Sequence, residues 1–403
     1  MLNVVVLNGG RGAASLIPAL LDRPGLNVTS IVNAYDDGKS TGEIRRFFNM
    51  LGPSDIRKVQ SLMLPEGPKR DVAEALFDVR FPLDVDREEL VCGFERFVAG
   101  GEELAGVTVT DPVLAAALRR FVGQFLETLL LIEQVRSQQF NFADCSLMNC
   151  LYAGAYLDSG RDMERTTRTI DRLFRLKGTV LPNSVENKWL AAVRQNGEVL
   201  SSEAEIVELR SNVLIDSIYL LDAALERSSF DRLSEADQRL YLERHQAPAI
   251  ASAGVRLALA QADIVIYSAG TQHSSLYPTY LSRGLPEAIA RNRSALKVFV
   301  TNIGADYETP TYRAADYLHG AYRYLCLAED RHHAPEDLFD AVLVNNGRRK
   351  ADTTYVDYDD SEYRLDVPRI VDDFEHPELP GRHNGERLVS TMLDLYAKRD
   401  LAK

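Results

Sequence analysis

The feature that most constrains the fold is an apolar run followed directly by a glycine-rich turn. Residues 4–7 are continuously apolar and mostly β-branched, which is typical of a parallel strand buried on both faces. The glycine turn 8–12 follows at once, and residues 13–21 and 29–33 are predicted to be a helix and a second strand. This order begins a βαβ unit and predicts a Rossmann-like α/β fold, with a mainly parallel sheet flanked by helices and a helical insertion subdomain.

Length alone predicts more than one structural unit in a chain of 403 residues. In residues 72–135 strand signals are absent and apolar residues recur at helical spacing. We therefore divide the chain into four segments: 1–65, a Rossmann-like segment with the glycine and Asp-Asp loops; 66–140, a helical insertion; 141–350, the remainder of the α/β ligand-binding domain; and 351–403, a polar acidic C-terminal tail.

Within the third segment the patterns predict several elements. Residues 262–267, 297–301 and 341–344 are strand candidates, and 178–208 resembles a β-hairpin with an Asn-Gly turn. A polar stretch over about 203–245 is predicted to be helical.

Charge limits the class of partner. Lys and Arg number 46 against 59 Asp and Glu, which gives a formal net charge of −13. A surface of this sign repels nucleic acid and anionic lipid, so we expect neither as a partner. No stretch reaches the roughly 18 apolar residues of a membrane span, and the start lacks a basic signal-peptide region. We expect a cytoplasmic protein. Because its net charge is negative, any anionic ligand must be held by favourable groups close to the binding site.

The first glycine turn has the form needed to approach a phosphate. Gly9, Gly10 and Gly12 allow backbone N–H groups to come close to an anion, and the helix that follows favours negative charge at its start. The pattern is not a complete G-x-G-x-x-G, and no acidic residue stands where a ribose-binding carboxylate is expected. The alternative is a turn that serves chain geometry only.

Acidic and basic residues follow the second strand and a later turn. Asp36 and Asp37, with Arg45 nearby, are suited to hold a divalent cation and an anionic oxygen at the carboxyl end of a parallel strand. Asp55 and Arg57 repeat this pairing in the turn that begins the next helix. The alternative is that these aspartates are only turn and helix-capping residues.

A second glycine turn follows the strand candidate at 262–267. Residues 268–275 are rich in hydroxyl groups, which suit phosphate or sugar oxygens, although an ordinary turn has the same composition. His273 in this loop is most simply a polar surface residue.

Together these segments resemble the CofD/YvcK family. The family's Asn-x-x-Asp-Asp-Gly-x-Ser-x-Gly-x-x-Arg stretch matches residues 33–45, and this is the most specific resemblance. The other matching segments are its glycine loop (8–12), its Pro-Gly-Asp-x-Arg turn (53–57), its Gly-Asn-Leu helix start (148–150), its Pro-Gly-Ser-x-x-Thr-Ser stretch (269–279) and its strand with a terminal Asn (298–302).

The resemblance implies a ligand cleft at the strand ends and roles for individual residues. Asp36, Asp37 and Asp55 are the implied metal ligands, for Mg²⁺, and Arg45 and Arg57 join them as catalytic candidates that stabilise charge on the transferred group. The implied nucleotide-binding residues are Gly9, Gly10, Gly12, Asn33, Ser40, Thr41, Asn149, Gly270, Thr271, Ser274, Ser275 and Asn302.

Two functions are compatible with the resemblance. CofD itself is a Mg²⁺-dependent transferase that moves a phospholactyl-type group from a guanosine diphospho-acid to an alcohol. YvcK proteins bind a UDP-sugar and act in gluconeogenic growth and cell shape. We therefore expect an enzyme that binds a GDP- or UDP-type substrate and a small alcohol acceptor, with a non-catalytic UDP-sugar-binding regulator as the alternative. Whether the chain forms a homodimer is left open.

Overall fold

Seven parallel strands form the central sheet of the protein. We describe the fold from a computed structural model, which covers residues 1–10, 12–67, 69–329, 332–350 and 352–401. The strands are β1 (Leu2–Asn8), β2 (Leu26–Val32), β3 (Glu103–Leu104), β4 (Val107–Thr108), β5 (Thr179–Pro182), β6 (Trp189–Arg194), β7 (Val199–Leu200), β8 (Ile215–Leu221), β9 (Ile264–Tyr267), β10 (Leu296–Val300), β11 (Ala341–Asn345) and β12 (Arg369–Asp372).

Helices cover both faces of the sheet and form the insertion. They are α1 (Leu16–Leu21), α2 (Lys39–Phe48), α3 (Ser54–Leu62), α4 (Arg70–Asp78), α5 (Arg87–Val98), α6 (Pro112–Arg136), α7 (Leu147–Asp158), α8 (Met163–Leu173), α9 (Glu203–Glu208), α10 (Arg227–Phe230), α11 (Glu235–His245), α12 (Ala253–Ala260), α13 (Tyr277–Tyr280), α14 (Leu285–Arg291), α15 (Ala314–Leu327), α16 (Pro335–Leu338) and α17 (Gly385–Leu401). A single π-helical turn, Gln272–Leu276, precedes α13.

The order of strands in the sheet reverses once. Across the sheet the order is β12-β11-β10-β9-β1-β2-β5, and each neighbouring pair is parallel. The chain therefore lays β2 and β5 on one side of β1, and β9 to β12 on the other. The predicted Rossmann-like fold with a mainly parallel sheet is confirmed.

Burial on both faces explains why the central strands are continuously apolar. Val4, Val5, Val6 and Leu7 of β1 are each at most 2% exposed. Helices on the two faces exclude water from every side chain of such a strand, so a polar alternation would leave unsatisfied groups in the core. The register places Leu7 beside Tyr267 of β9, so the two strands end at the same level.

A second, antiparallel sheet corrects one prediction. The polar stretch 203–245, predicted to be helical, contains α9, β8, α10 and α11. Strand β8 pairs with β6, which also pairs with β7, and the three-stranded sheet buries its own apolar cluster with Phe230 and Leu242. The prediction was wrong for β8, because its partner strand β6 lies about 20 residues earlier in the chain. A local sequence pattern does not indicate that pairing.

The helical insertion packs on the sheet domain through aromatic rings. Phe125 of α6 contacts Phe48 of α2 at a ring-centroid distance of 5.3 Å and Phe140 at 6.2 Å. Phe47 also contacts Phe140, at 5.3 Å. The two pairs that include Phe140 are edge-to-face, and such pairs add to the free energy gained by burying the rings. The insertion is thus fixed to α2, the helix that follows the Asp36–Asp37 loop.

The last described residues extend the sheet domain. In residues 352–401, expected to be a tail, β12 pairs with β11 at the edge of the sheet and α17 packs against α1. The division of the chain into four segments otherwise stays a prediction. No helix in the described ranges is both long and apolar enough to cross a membrane.

The crossing of α6 and α7 gives a stability prediction. A Cβ added to Gly154 on α7 would lie 1.9 Å from the carbonyl oxygen of Phe121 on α6. Gly154→Ala must therefore separate the two helices, and we expect it to lower the free energy of unfolding by about 2–3 kcal/mol, as overpacked core positions do.

Gly123→Ala on α6 is the matched control. Its added Cβ meets only a Val98 methyl group, at 3.9 Å. We expect this variant to be neutral or more stable by up to about 1 kcal/mol, because alanine favours a helix interior. Denaturant unfolding of the three proteins measures both effects, and equal stability of the two variants would contradict the close crossing.

Candidate functional site

The candidate site lies where the order of the sheet reverses, between β1 and β9. Residues 9–12 continue from the carboxyl end of β1, and residues 268–271 continue from the carboxyl end of β9. In open α/β sheets ligands bind in the crevice outside the strand ends at such a point. The two glycine turns found in the sequence are therefore side by side where a ligand cleft is expected.

The first turn touches its neighbours at positions that have no side chain. A Cβ on Gly12 would lie 2.2 Å from the carbonyl oxygen of Ala269, and one on Gly10 would lie 2.3 Å from Oδ1 of Asp55. Close approach is thus a reason for these positions to be glycine. Arg11, between them, lies outside the described residues.

Two cavities adjoin this turn. One of about 450 Å³ lies between Gly12 and Gly270 and is closed by the loops that follow β10 and precede α17. The other, of about 310 Å³, extends from Gly10 between α3 and α4. Ala14 and Arg382 line both cavities, so the two are neighbouring parts of one cleft along the turn.

Asp36 and Asp55 meet beside the first turn and share one counter-ion. The Lys58 ammonium nitrogen lies 2.8 Å from Oδ1 of Asp55 and 3.8 Å from Oδ2 of Asp36. Burial raises the pKa of Asp36, and the negative charge of Asp55 raises it further. The turn after β2 and the start of α3 thus form one charged cluster next to Gly10.

Asp37 is engaged with α9. Its Oδ1 accepts a hydrogen bond from the backbone N–H of Ala204 at 3.0 Å, and Oε2 of Glu203 accepts one from the backbone N–H of Asp37 at 3.3 Å. Burial raises the pKa of the Glu203 carboxyl well above its usual value, and the negative charges of Asp36, Asp37 and Asp55 add to this effect. Glu203 is therefore a fourth acidic group of the cluster.

The donor set suits a divalent cation at two of the three predicted aspartates. Mg²⁺ is commonly held by one or two carboxylates together with substrate phosphate and water. Asp36 and Asp55, beside the glycine turn, match that requirement, whereas Asp37 caps α9. Across the described ranges, no group of three or more His, Cys, Asp or Glu side chains is arranged to hold a metal ion.

Arg45 supports the loop that carries the aspartates. Its guanidinium is fully buried and donates to the carbonyl oxygens of Tyr35 at 2.7 Å and Lys188 at 2.5 Å. It also donates to Oδ1 of Asn187 at 2.9 Å and lies 4.4 Å from the centroid of the Trp189 ring. Burial lowers the pKa of Arg45. These contacts make Arg45 a structural link between the loop and β6.

Arg57, on α3, has a different environment. It lines the 310 Å³ cavity, and its Nε is buried without a hydrogen-bond partner. Burial lowers the pKa of Arg57, and the positive charge of Arg80 lowers it further. Of the two arginines that the sequence singles out, Arg57 is the one that faces the cleft.

The amide groups of the second turn are bonded within the protein. Oδ1 of Asn302 accepts from the N–H of Gly270 at 3.0 Å. The Glu308 carboxylate accepts from the backbone N–H groups of His273 at 2.8 Å and Ser274 at 3.0 Å, and from the Ser274 hydroxyl at 2.5 Å. The Glu308 carboxyl group therefore occupies donors of this turn, among them the Ser274 N–H and hydroxyl that the sequence assigns to phosphate. His273 is fully buried, and burial lowers its pKa to about 3, so its prediction as a surface residue was wrong.

Three more predicted residues connect the second turn to its surroundings. Nδ2 of Asn33, after β2, donates to the carbonyl oxygen of Ser274 at 2.9 Å. The Thr271 hydroxyl donates to that of Ser275 at 2.9 Å, and a Cβ on Gly9 would lie 2.8 Å from Cβ of Ser275. Ser275 is thus the point where the two turns touch.

Ser40 and Thr41 lie at the start of α2, and Asn149 of α7 lies beside Ser40. All three are buried, and Nδ2 of Asn149 lies 3.4 Å from Oγ of Ser40. Oδ1 of Asn149 is buried without a partner. The family's helix-start Asn therefore faces the Asp36–Asp37 side of the site.

The chain matches a known protein-family model over most of its length. The family model described as 2-phospho-L-lactate transferase CofD matches residues 4–376. The chain belongs to the CofD family. This confirms the resemblance inferred from the motifs.

Individual relatives of this CofD family protein are distant in sequence. A protein named gluconeogenesis factor from Halalkalibacterium halodurans is 23% identical, over 97% of this chain and 96% of that protein. A crystal structure of a UPF0052 family protein from Bacillus halodurans has a TM-score of 0.67 at 20% identity, and covers 97% of this chain and 99% of that one. A second crystal structure from Bacillus halodurans gives a TM-score of 0.68 at 21% identity, with the same coverage. These structures share the fold.

Four residues of the CofD family site were not singled out from the sequence. Lys58 is three residues after Asp55, a helical spacing that does signal an ion pair. Glu203, Glu308 and Arg382 give no such signal, because their partners are distant in the chain. The Asp37–Ala204 contact, for example, spans 167 residues.

Glu308 generates a prediction about pH. Burial raises its pKa from 4.5 to about 8, and Asp306 adds to the shift. An acid whose pKa is raised by folding binds its proton more tightly in the folded state, so the stability it contributes is lost as pH rises from about 5 to about 8. Glu308→Gln keeps acceptor and donor atoms in place and should show a flatter decline in stability over this range.

Denaturant unfolding at four pH values between 5 and 8 measures the difference between wild type and Glu308→Gln. Glu308→Ala is the contrasting variant, because it leaves two buried N–H groups without an acceptor and should be less stable at every pH, by about 2 kcal/mol or more. Parallel pH profiles for wild type and Glu308→Gln would contradict the assignment.

Proposed function

We propose that this protein is a transferase that binds a nucleoside-diphosphate-linked substrate together with Mg²⁺. It moves a phospho-acyl group, of the phospholactyl type, to an alcohol acceptor and releases a nucleoside monophosphate. The observation that carries the proposal is the meeting of two glycine turns at the reversal point of the sheet, beside the carboxylates Asp36 and Asp55. Membership of the CofD family, whose description names a 2-phospho-L-lactate transferase, supports it.

The first glycine turn is the proposed diphosphate position. The diphosphate is proposed to bind the backbone of this turn on the side away from Asp55 and Ala269, because oxygens of those two residues fill the space that a Cβ would take at Gly10 and Gly12. Lys58 and Arg382 add positive charge along the cleft. In a chain of net charge −13, such local groups are needed to attract a diphosphate.

Asp36 and Asp55 are the proposed ligands of the divalent cation. A bound Mg²⁺ supplies positive charge that stabilises the phosphate oxygens as the bond to the leaving group breaks. The Lys58 ammonium lies within 3.8 Å of both carboxylates and offsets part of their charge. Two contacts hold the loop in position: Arg45 bonds to the residue that precedes β6, and Asp37 bonds to the start of α9.

Transfer requires positioning more than a dedicated nucleophile. The acceptor hydroxyl oxygen forms a bond to the phosphorus distal to the nucleoside, and the bond from that phosphorus to the nucleoside monophosphate breaks. Catalysis of phosphoryl transfer depends mainly on alignment and charge stabilisation, which fixed turns and paired carboxylates provide.

Turnover and its dependence on Asp55 test the proposal. Purified protein is incubated with a GDP- or UDP-linked hydroxy acid, an alcohol acceptor and Mg²⁺, and the released nucleoside monophosphate is measured. We expect Asp55→Asn to reduce the rate at least a hundredfold and to weaken its dependence on Mg²⁺ concentration, because one of two carboxylate ligands is lost.

Asp231→Asn is the control, because this exposed residue, which directly follows α10, forms an ion pair with Arg227 and is not part of the candidate site. Its rate should equal that of wild type. Stabilisation by a UDP-sugar that persists unconsumed would instead support the YvcK-like regulator, and no response to any nucleotide would contradict both functions.

A further inference from the structure

Helix α8 carries arginines on the face that it turns away from the core. Arg165, Arg168 and Arg172 lie within the helix at spacings of three and four residues, and Arg161 and Arg175 continue the same spacing just beyond its two ends. Residues spaced in this way share one face of a helix. The opposite face of α8 is buried and contains no arginine. We call Arg165, Arg168 and Arg172 the arginine stripe.

The acidic residues of the same segment are all bonded within the fold. Asp162 caps the start of α8 by accepting from a backbone N–H of its first turn, at 2.9 Å. Glu164 forms an ion pair with Arg168 at 3.0 Å and accepts from a backbone N–H of α12 at 3.1 Å. Asp171 is buried and bonded to α3 and β5. The exposed face of α8 therefore presents mainly positive charge.

Arg165 and Arg172 have exposed side chains that are not held by the protein itself. In the part of the chain that the structure describes, neither guanidinium forms a hydrogen bond or an ion pair. Burial raises the pKa of Asp171 to about 7, and the positive charges of Arg168 and Arg172 act against this shift. Like charges three and four residues apart repel one another, so the stripe destabilises α8 as long as no anionic group faces it.

A cavity of about 410 Å³ adjoins the stripe, and all three of its arginines line it. Ser252 and Ala253, at the start of α12, form another part of the wall, where the helix dipole adds partial positive charge. Val185 contributes an apolar side chain that is 48% exposed. The acidic groups of the wall are the bonded Asp162 and Glu164. This surface suits a ligand that combines carboxylates with an apolar side chain.

The length of the stripe favours a protein segment over a small anion. From Arg165 to Arg172 the helix rises about 10 Å, and a single phosphate or carboxylate cannot bridge that distance. An acidic helix whose carboxylates have the same spacing can pair with each arginine in turn, as charged residues do between the helices of coiled coils. A nucleic acid duplex or an anionic membrane would extend beyond the stripe to the rest of a chain with a net charge of −13, which repels it.

We propose that the arginine stripe and the adjoining cavity form a docking surface for an acidic amphipathic helix of a partner protein. Carboxylates of that helix pair with the three arginines, and one of its apolar side chains contacts Val185. The stripe lines neither cavity of the cleft at the two glycine turns. The inference therefore stands independently of the proposed function.

Binding of designed peptides tests the docking surface. Fluorescence anisotropy compares three labelled helical peptides of about 20 residues. The matched peptide has glutamates at spacings of three and four residues along one face, with two leucines beside them. The second has the same composition with the glutamates distributed around the helix, and the third has glutamine in place of glutamate. We expect the matched peptide to bind at least tenfold more tightly than either of the others, with a Kd that rises with salt concentration.

Arginine variants of the full chain locate the binding surface. Arg165→Gln combined with Arg172→Gln should raise the Kd of the matched peptide at least tenfold. Arg232→Gln combined with Arg244→Gln is the matched control, because it removes two charges from exposed positions in or next to α11 and should leave the Kd within twofold. Arg165→Lys combined with Arg172→Lys keeps the charge and guards against misfolding, and an intermediate Kd is expected because the planar guanidinium fork is lost.

Three results would overturn the proposal. The first is an equal Kd of the matched peptide for wild type and for the glutamine variant of the stripe. The second is equal affinity for the matched and the distributed peptide, since binding would then follow net charge and not the spacing of the stripe. The third is tighter binding of a DNA duplex or of phosphatidylserine vesicles than of the matched peptide, which would assign the stripe to a different class of partner.

Discussion

The contact between Gly12 and the carbonyl oxygen of Ala269 is the constraint on which the site depends. Strands β1 and β9 are adjacent and end at the same level, so the turns that follow them compete for the same space. They fit because no Cβ is present at Gly12, where it would lie 2.2 Å from that oxygen. The cleft exists on either side of this contact, and any larger residue would force the turns, and with them the cavity walls, apart.

Acidic and basic side chains meet in the cleft of a chain that is acidic overall. The net charge is −13, and three buried or partly buried acids, Asp36, Asp55 and Glu203, lie near the first turn. Burial and mutual repulsion raise the pKa of Asp36 and of Glu203, so this cluster has a strong need for positive charge. Lys58 supplies part of it, and the proposed divalent cation would supply the rest. Arg57, which lines the 310 Å³ cavity, adds a further positive charge within electrostatic reach of Asp36 and Asp55.

Local patterns predicted the part of the fold that local forces determine. The apolar run of β1, its glycine turn and the Asp36–Asp37 loop are each contained within about ten residues, and their positions at strand ends follow from a parallel sheet. Strand β8 was missed because antiparallel pairing with β6, and not the composition of β8, decides its conformation. Glu203 and Glu308 were missed for a related reason, since tertiary folding alone brings each of them to a backbone N–H of the site. The proximity of Asp36 to Asp55 was expected from the family pattern, whereas the capping of α9 by Asp37 was not.

The most direct test of the account is a crystal structure of the protein with GDP or UDP and Mg²⁺. The account predicts diphosphate density between the turn at residues 9–12 and the turn at 269–270, with the cation on Asp36 and Asp55. The account would be contradicted if the strand-end cleft were empty at saturating ligand and the nucleotide density lay elsewhere, for example in the 630 Å³ cavity of the helical insertion.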